Sequence, residues 1–356
     1  MVGARLSVTM TSNIDNDAEL ESVSEPTRIY ESIQDAVGSV LIGQERLTRG
    51  LTVAILTGGH VLVEGVPGVG KTLAARLFAT ATGLEYGRIQ MTPDVLPADI
   101  TGTQVYRETT GEFEFQRGPV FANVVVADEI NRATPKTQSA LLESMQERTV
   151  TVGGETLSLP EPFIVIATQN PIEYEGTFAL PEAQRDRFQL KLSVSAPKRE
   201  KQIELLDRFD NRPELSPDDV AQSVSRERLL TAQATVRDVY VATPIKEYII
   251  DIIEATNDTE TLNHGCSPRA AISLLNVAKA EAALQDRQYV IPSDVKSLAT
   301  ETLAHRVVLG TDAELSDLTT NSVLEDIITE TPVPENVDLA SASTSDVDTE
   351  SSAHGE

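Results

Sequence analysis

Residues 60–72 read HVLVEGVPGVGKT, and the neighbouring segments are best interpreted from this stretch. The apolar run at 60–64 predicts a buried strand. The next eight residues fit G-x-x-x-x-G-K-[ST], a loop whose glycines let backbone amides turn toward a phosphate at the N-terminus of a helix. In this pattern the lysine reaches the β- and γ-phosphates, and the last hydroxyl ligates Mg²⁺. The residues predicted to bind a nucleoside triphosphate are Gly65, Val66, Pro67, Gly68, Val69, Gly70, Lys71 and Thr72, with Thr72 also a Mg²⁺ ligand.

Helical and strand-like segments alternate on both sides of this loop. Apolar residues spaced three to four apart predict helices at 29–40, 47–57 and 71–82, and apolar runs predict buried strands at 124–127 and 163–167. Near-continuous apolar strands separated by helices are typical of a parallel sheet that is covered on both faces. The sequence therefore predicts an α/β fold with a P-loop NTPase core, followed by an all-α domain.

The two later strands both lead into polar residues. Asp128 and Glu129 follow the first of them, and Asn170 follows the second. In open α/β sheets, ligands bind beyond the carboxyl ends of the strands. Asp128 is predicted to hold the Mg²⁺ shell, and Glu129 to polarise the attacking water as general base. Asn170 is predicted to orient that water or to contact the γ-phosphate.

The composition is strongly acidic. The 356 residues contain 55 Asp and Glu against 29 Lys and Arg, a formal net charge of −26, and only eight of the cations are Lys. Acid-rich, lysine-poor surfaces suggest a high-salt cytoplasm, where screening tolerates self-repulsion. The single cysteine, Cys266, excludes an intrachain disulfide and a multi-cysteine zinc site. Neither a membrane-spanning run nor a signal-peptide pattern is found, so we expect a cytoplasmic protein without membrane insertion.

Composition also predicts the domain organisation. Residues 1–28 and 312–356 are rich in Ser, Thr, Asp and Glu, which predicts disordered acidic tails, with at most a transient helix at 323–328. Strand signals stop near Pro197. Between the tails we therefore expect a nucleotide-binding domain at 29–197 and a helical domain at 198–311.

Several long segments, in order, resemble the MoxR family of AAA+ ATPases. They include EGVPGVGKT (64–72), RGPVFANVVVADEINRATPKTQSALLESMQE (117–147) and ATQNPIEYEGTFALPEAQRDRF (167–188), and the similarity covers about 30–310. The resemblance implies ATP hydrolysis with Mg²⁺ in a homo-oligomeric ring, usually a hexamer, with ATP bound between subunits. The helical domain would be the lid. Together with the acidic composition, the resemblance suggests a halophilic archaeal source.

The resemblance also assigns two arginines. Arg187 in Asp186-Arg187-Phe188 would be the arginine finger that reaches the γ-phosphate of a neighbouring subunit. Position 185 is commonly apolar in such sequences but is Arg here, so the finger could be Arg185 instead. Arg269 would be the second sensor, on the lid over the bound nucleotide.

Two inserts favour a role with partners. Residues 103–116 and 149–159 alternate around Thr110-Gly111 and Gly153-Gly154, which predicts hairpins, and family precedent projects both toward substrates. The resemblance implies chaperone-like remodelling or metal-cofactor activation of a client protein, often one with a von Willebrand factor A-type domain. A magnesium-chelatase-like subunit is one alternative. A nucleic-acid motor is another, but 149–160 contains no Lys or Arg to bind phosphates, which argues against nucleic acid as a partner.

Overall fold

The computed structural model describes residues 24–171, 177–211 and 220–334. The strands are β1 (Val61–Gly65), β2 (Tyr86–Gln90), β3 (Gly102–Arg107), β4 (Glu112–Arg117), β5 (Val124–Asp128), β6 (Thr149–Val152), β7 (Glu155–Ser158), β8 (Ile164–Gln169), β9 (Leu190–Val194), β10 (Leu262–His264) and β11 (Val308–Leu309). The helices are α1 (Glu25–Gly38), α2 (Glu45–Thr57), α3 (Lys71–Thr82), α4 (Pro97–Thr101), α5 (Pro135–Glu147), α6 (Glu182–Arg185), α7 (Arg199–Asn211), α8 (Arg226–Asp238), α9 (Thr243–Asp258), α10 (Pro268–Leu284), α11 (Pro292–Ser297), α12 (Ala299–Leu303), α13 (Thr311–Leu315) and α14 (Thr320–Glu330).

The central sheet has five parallel strands in the order β2–β5–β8–β1–β9. Alternate residues of its strands enter two different cores. Val124 and Val126 pack in the core that contains α1, α2 and α3, whereas Val125 and Ala127 pack with α5 on the other face. Because both faces are covered, the central strands β1, β5 and β8 are mainly apolar up to their carboxyl ends. The predicted α/β fold with a parallel-sheet core is confirmed.

The C-terminal part is a helical lid that shares the core of α1, α2 and α3. Its central helix, α10, packs against α2, and there Arg49 forms an ion pair with the buried carboxylate of Glu281. The lid is not purely helical, because β10 and β11 pair as a short antiparallel ladder. Strand β10 has three residues and β11 has two, which is too short to show an alternating pattern in the sequence.

The predicted start of the folded core is wrong by four residues. Helix α1 begins at Glu25 rather than after residue 28, and this first turn is anchored on the lid. Glu25 forms an ion pair with Arg228, and the Thr27 hydroxyl donates to the Ala283 carbonyl at 3.0 Å. These contacts are long-range, so composition alone does not reveal them. Residues 1–23 lie outside the described residues.

The predicted disordered tail from 312 is also wrong for its first part. Helices α13 and α14 fold onto the lid, and α14 packs against α9 and α12. Val323, Leu324 and Ile328 are buried, while Glu325 and Asp326 lie on the exposed face. The acidic composition therefore describes the outer side of an amphipathic helix. Residues 335–356 lie outside the described residues.

Two strands of the central sheet, β2 and β9, do not follow from the sequence pattern. Both are edge strands, and both carry polar residues within short segments, YGRIQ and LKLSV. Edge strands need less apolar surface than central ones, so the continuous apolar run that reveals β5 and β8 is absent. Strand β9 matters for the site because it follows residues 185–188, the finger segment, which contains both candidates for the arginine finger.

Candidate nucleotide-binding and hydrolysis site

The glycine-rich loop lies between β1 and α3, as its sequence predicts. Gly68 and Gly70 have φ of +84° and +88°, a left-handed conformation that glycine adopts without a steric penalty. The Lys71 ammonium folds back over the loop and donates to the carbonyls of Gly65 and, at 3.1 Å, Val66. The loop lines a cavity of about 350 Å³ at the carboxyl edge of the sheet.

Asp128 is the centre of the polar network on the other side of this cavity. The residue is buried, with 5% of its surface exposed. The hydroxyls of Thr72 and Thr168 donate to its Oδ1 atom at 2.9 and 3.1 Å, and Arg88 Nε donates to Oδ2 at 2.8 Å. Mg²⁺ in nucleotide sites prefers oxygen ligands and commonly uses one or two carboxylates. The adjacent oxygens of Thr72 and Asp128 therefore fit the ion.

Glu129 enters the same cavity in a strained backbone conformation. Its φ is +56°, a left-handed value that costs a non-glycine residue about 1–3 kcal/mol and is often found at functional sites. The Thr168 hydroxyl accepts from the Glu129 amide at 2.9 Å. Gln90 Nε2 and Arg132 Nη1 donate to the carboxylate at 3.2 and 3.0 Å. The carboxylate is thus oriented by two donors from two separate elements.

Asn170 completes the residues that the structure brings together. It lies at the end of β8, is 6% exposed and lines the cavity with Lys71, Asp128 and Glu129. The four side chains come from two strand ends, those of β5 and β8, and from the start of α3, which follows β1. Parallel strands place these ends on one edge of the sheet. The segment 172–176 beyond Asn170 lies outside the described residues.

The two candidates for the arginine finger, Arg185 and Arg187, lie away from this cavity. Arg187 precedes β9, and β9 runs parallel to β1 with Leu190 level with Val61 and Val194 level with Gly65. A strand rises about 3.3 Å per residue, so Leu190, at the start of β9, lies roughly 13 Å along the strand direction from Gly65, where the loop begins. The finger segment therefore lies at the amino edge of the sheet, opposite the loop. Neither Arg187 nor Arg185 lines the cavity.

The structure places Arg269, the predicted second sensor on the lid over the bound nucleotide, beside the finger segment of its own chain. Arg269 begins α10, and its guanidinium lies 3.6 Å from Asp186 Oδ2, beside the finger segment. It does not line the loop cavity. The lid docks through β9 and the α1–α3 face, and this docking places the start of α10 at the amino edge of the sheet. Sequence spacing carries no information about that docking.

Arg88, Gln90 and Thr168 line the cavity but were not predicted from the sequence, and the same holds for Leu73 and Gln169. Arg88 and Gln90 lie two residues apart on β2, so both side chains point to one face of the strand. Their only sequence signal was a pair of polar residues in a segment that was not recognised as a strand. Thr168 lies two residues before Asn170 and could have been found as a second polar residue at the end of β8.

Both predicted hairpins are present. Strands β3 and β4 pair antiparallel, as do β6 and β7, the latter joined by Gly153-Gly154 in left-handed conformations. In the first hairpin Phe115 packs its ring edge on Phe121, while Phe113 is 68% exposed and contacts Tyr106 with ring centroids 5.3 Å apart. An exposed aromatic pair is unusual for a surface hairpin, since burial of such rings is strongly favourable.

Similarity to known proteins agrees with this geometry. Two family models match, the ATPase family associated with various cellular activities (AAA) at residues 60–190 and the AAA lid domain at 254–327. Chaperone MoxR1 of Mycobacterium tuberculosis is 42% identical over 308 residues, which cover 84% of this chain and 81% of the relative. The chain belongs to the MoxR family of AAA+ ATPases. The uncharacterized protein YeaC of Bacillus subtilis is also 42% identical, over 84% of this chain and 92% of its own.

A solved structure from Cytophaga hutchinsonii that carries an ATPase assignment superposes with a TM-score of 0.80 at 39% identity, covering 87% of this MoxR-family chain and 97% of the other. Magnesium-chelatase subunits match at only 25–29% identity, so the MoxR interpretation is favoured over that alternative. This MoxR-family protein binds and hydrolyses ATP. Within the described residues, no helix has the length and apolar character to cross a membrane.

Proposed function

We propose that this ATPase works as a ring of identical subunits, most simply a hexamer, in which each ATP lies between two neighbours. The observation that supports it is the division of the catalytic groups between two edges of the sheet. The loop, Asp128 and Glu129 lie at the carboxyl edge, whereas Arg187 and Arg269 lie together at the amino edge. The cavity of a single chain therefore lacks Arg187 and Arg269. These two arginines are at the opposite edge, where they can reach the cavity of a neighbouring subunit.

Within one subunit, we assign the following roles. Lys71 and the amides of the loop bind the phosphates, Thr72 and Asp128 hold Mg²⁺, which neutralises charge on the phosphates, and Glu129 accepts the proton of the attacking water. Asn170 orients that water or contacts the γ-phosphate. Gln90 and Arg132 hold the Glu129 carboxylate at the cavity, so that its position is set before the nucleotide arrives.

Between subunits, we assign Arg187 as the finger. Arg185 is the weaker candidate because its Nε atom is buried, with no hydrogen-bond partner among the residues that the structure describes. A guanidinium with a buried Nε is less free to reach a neighbouring subunit. Arg187 is half-buried and sits between residues that the lid holds, with a fixed positive charge suited to the spread charge of phosphoryl transfer. Arg269 would act from the same edge, as a second cation for the neighbour.

The partner is proposed to be a protein. MoxR1 is called a chaperone, and the exposed Tyr106–Phe113 pair offers an apolar contact for a polypeptide. The β6–β7 hairpin carries no cation for phosphates, which argues against nucleic acid. By resemblance the client is a complex that needs assembly or a metal cofactor, and it often contains a von Willebrand factor A-type domain.

Copurification tests this proposal. A Glu129→Gln ring should hold its client longer than the wild type, because hydrolysis and release are blocked while ATP stays bound. We expect a protein retained with ATP but not with ADP from native extract, and the Tyr106→Ala, Phe113→Ala double variant should lose it. Retention of nucleic acid, with stimulation of ATP hydrolysis by DNA, would contradict a protein client.

We further infer a cytoplasmic protein from a halophilic archaeon, since the net charge of −26 is accompanied by only eight Lys. Residues 29–306, which exclude the acidic tails, still carry a formal net charge of −11. We expect the melting temperature to rise by several degrees from about 0.1 M KCl, where screening extends over about 10 Å, to multimolar KCl. A scanning-calorimetry series in KCl, with equal-osmolality sucrose as control, measures it. Equal stability at low and high KCl contradicts halophilic adaptation.

A further inference from the structure

His305 and Arg306 follow helix α12 and are almost completely buried, with exposures of 1% and 4%. Both side chains donate to the same acceptor, the backbone carbonyl of Phe188. His305 Nε2 lies at 2.8 Å and Arg306 Nη2 at 2.9 Å from that oxygen. Burial and the adjacent Arg306 cation lower the pKa of His305 to about 3, so the ring is neutral near pH 7 and donates through Nε2.

Arg306 also contacts the residue on the other side of Arg187. Its Nη1 atom lies 3.0 Å from Asp186 Oδ1, and its Nη2 atom donates to Ser273 Oγ of α10 at 3.0 Å. The other carboxylate oxygen of Asp186, Oδ2, lies 3.6 Å from Arg269 Nη1. A buried arginine at this place is costly unless it is paired. Apart from a 3.4 Å contact of its Nε atom with His305 Nε2, the described partners of Arg306 lie on the finger segment and on α10.

These contacts flank Arg187 on both sides. Asp186 is held through its carboxylate and Phe188 through its carbonyl and its fully buried ring, whereas Arg187 itself is half-buried. Fixing the two neighbours limits the backbone angles at Arg187 and thus the direction in which its side chain leaves the subunit. A displacement of about 1 Å in a catalytic group can cost about 10²-fold in rate.

We propose that His305 and Arg306 form a clamp that positions Arg187 for the neighbouring subunit and makes lid and finger segment move as one body. This inference rests on the proposed function, in which Arg187 acts between subunits. Arg306 is a positioning residue here, because it acts through Asp186 and Phe188. The clamp joins the lid of one subunit to the hydrolysis site of the next.

Two variants open the clamp. Arg306→Met removes the charge and the hydrogen bonds but keeps most of the volume, and Asp186→Asn removes the acceptor charge at a less buried place. We expect both to bind ATP within about threefold of wild type and to lose kcat by about 10²-fold. Arg287→Met is the matched control, because it breaks a partly buried lid ion pair, with Asp294, that does not contact the finger segment. It should leave kcat unchanged.

Mixing experiments separate positioning from a folding defect. Arg306→Met mixed with Lys71→Ala should regain activity, because the Lys71→Ala subunit supplies an intact finger to an intact loop. Mixed with Arg187→Ala it should stay inactive, because neither subunit supplies a finger. If Arg306→Met does not fold, as judged by circular dichroism, Asp186→Asn carries the same test.

Wild-type kcat in a folded clamp variant, or activity regained with Arg187→Ala, would overturn the clamp. The pair Arg187→Ala and Lys71→Ala shows which idea has failed. If that pair regains activity while the clamp variant with Lys71→Ala does not, the clamp alone is wrong. If that pair stays inactive in mixed rings, the action of Arg187 between subunits is wrong, and the clamp fails with it.

Discussion

Arg187→Ala should bind ATP nearly normally and lose hydrolysis by about 10³-fold or more. The loop and Asp128 lie at the opposite edge of the sheet, so binding in the same chain is untouched. The lost group is the fixed positive charge offered to a neighbour in the transition state. Fluorescent-nucleotide titration and phosphate release measure the two effects. In the wild type, specific activity should rise with protein concentration, since the site exists only where two subunits meet.

A mixture of two inactive variants gives the sharper result. Lys71→Ala should lose nucleotide binding, because the loop keeps its amides but not its cation. Mixed with Arg187→Ala, it should partly restore hydrolysis, since Arg187 of the Lys71→Ala subunit can complete the intact loop of the other. The same mixture with Arg185→Ala identifies the finger. If neither mixture regains activity while mixed rings demonstrably form, the finger does not act between subunits.

Glu129→Gln should keep ATP and Mg²⁺ binding and hydrolyse about 10²–10⁴-fold more slowly. The amide has nearly the shape of the carboxylate but cannot accept the proton of the attacking water. Glu143→Gln on the exposed face of α5 is the control, and it should leave the rate of ATP hydrolysis unchanged. Steady-state phosphate release with excess ATP is the measurement. Turnover within about threefold of wild type would place the general base elsewhere.

The local sequence pattern was sufficient to predict an element wherever its own residues show the full apolar pattern of a helix or strand. Helix α3 spans the predicted 71–82, and the central strands β1, β5 and β8 lie within one or two residues of their apolar runs. The signal failed where a segment depends on partners far along the chain. Strand β9 pairs with β1, and α14 buries its apolar side on the lid, so neither composition nor a short window reveals them.

Local sequence pattern was sufficient to predict the glycine-rich loop, the strand-end carboxylates and the amide of Asn170, which line one cavity in the structure. That was possible because parallel strands always bring their carboxyl ends to the same edge. No local pattern indicates that Arg88 contacts Asp128, that Gln90 contacts Glu129, or that Arg269 lies with Arg187 at the amino edge, and these contacts are seen only in the folded chain. Strand order and lid docking follow from long-range packing free energy, which no local spacing of residues encodes.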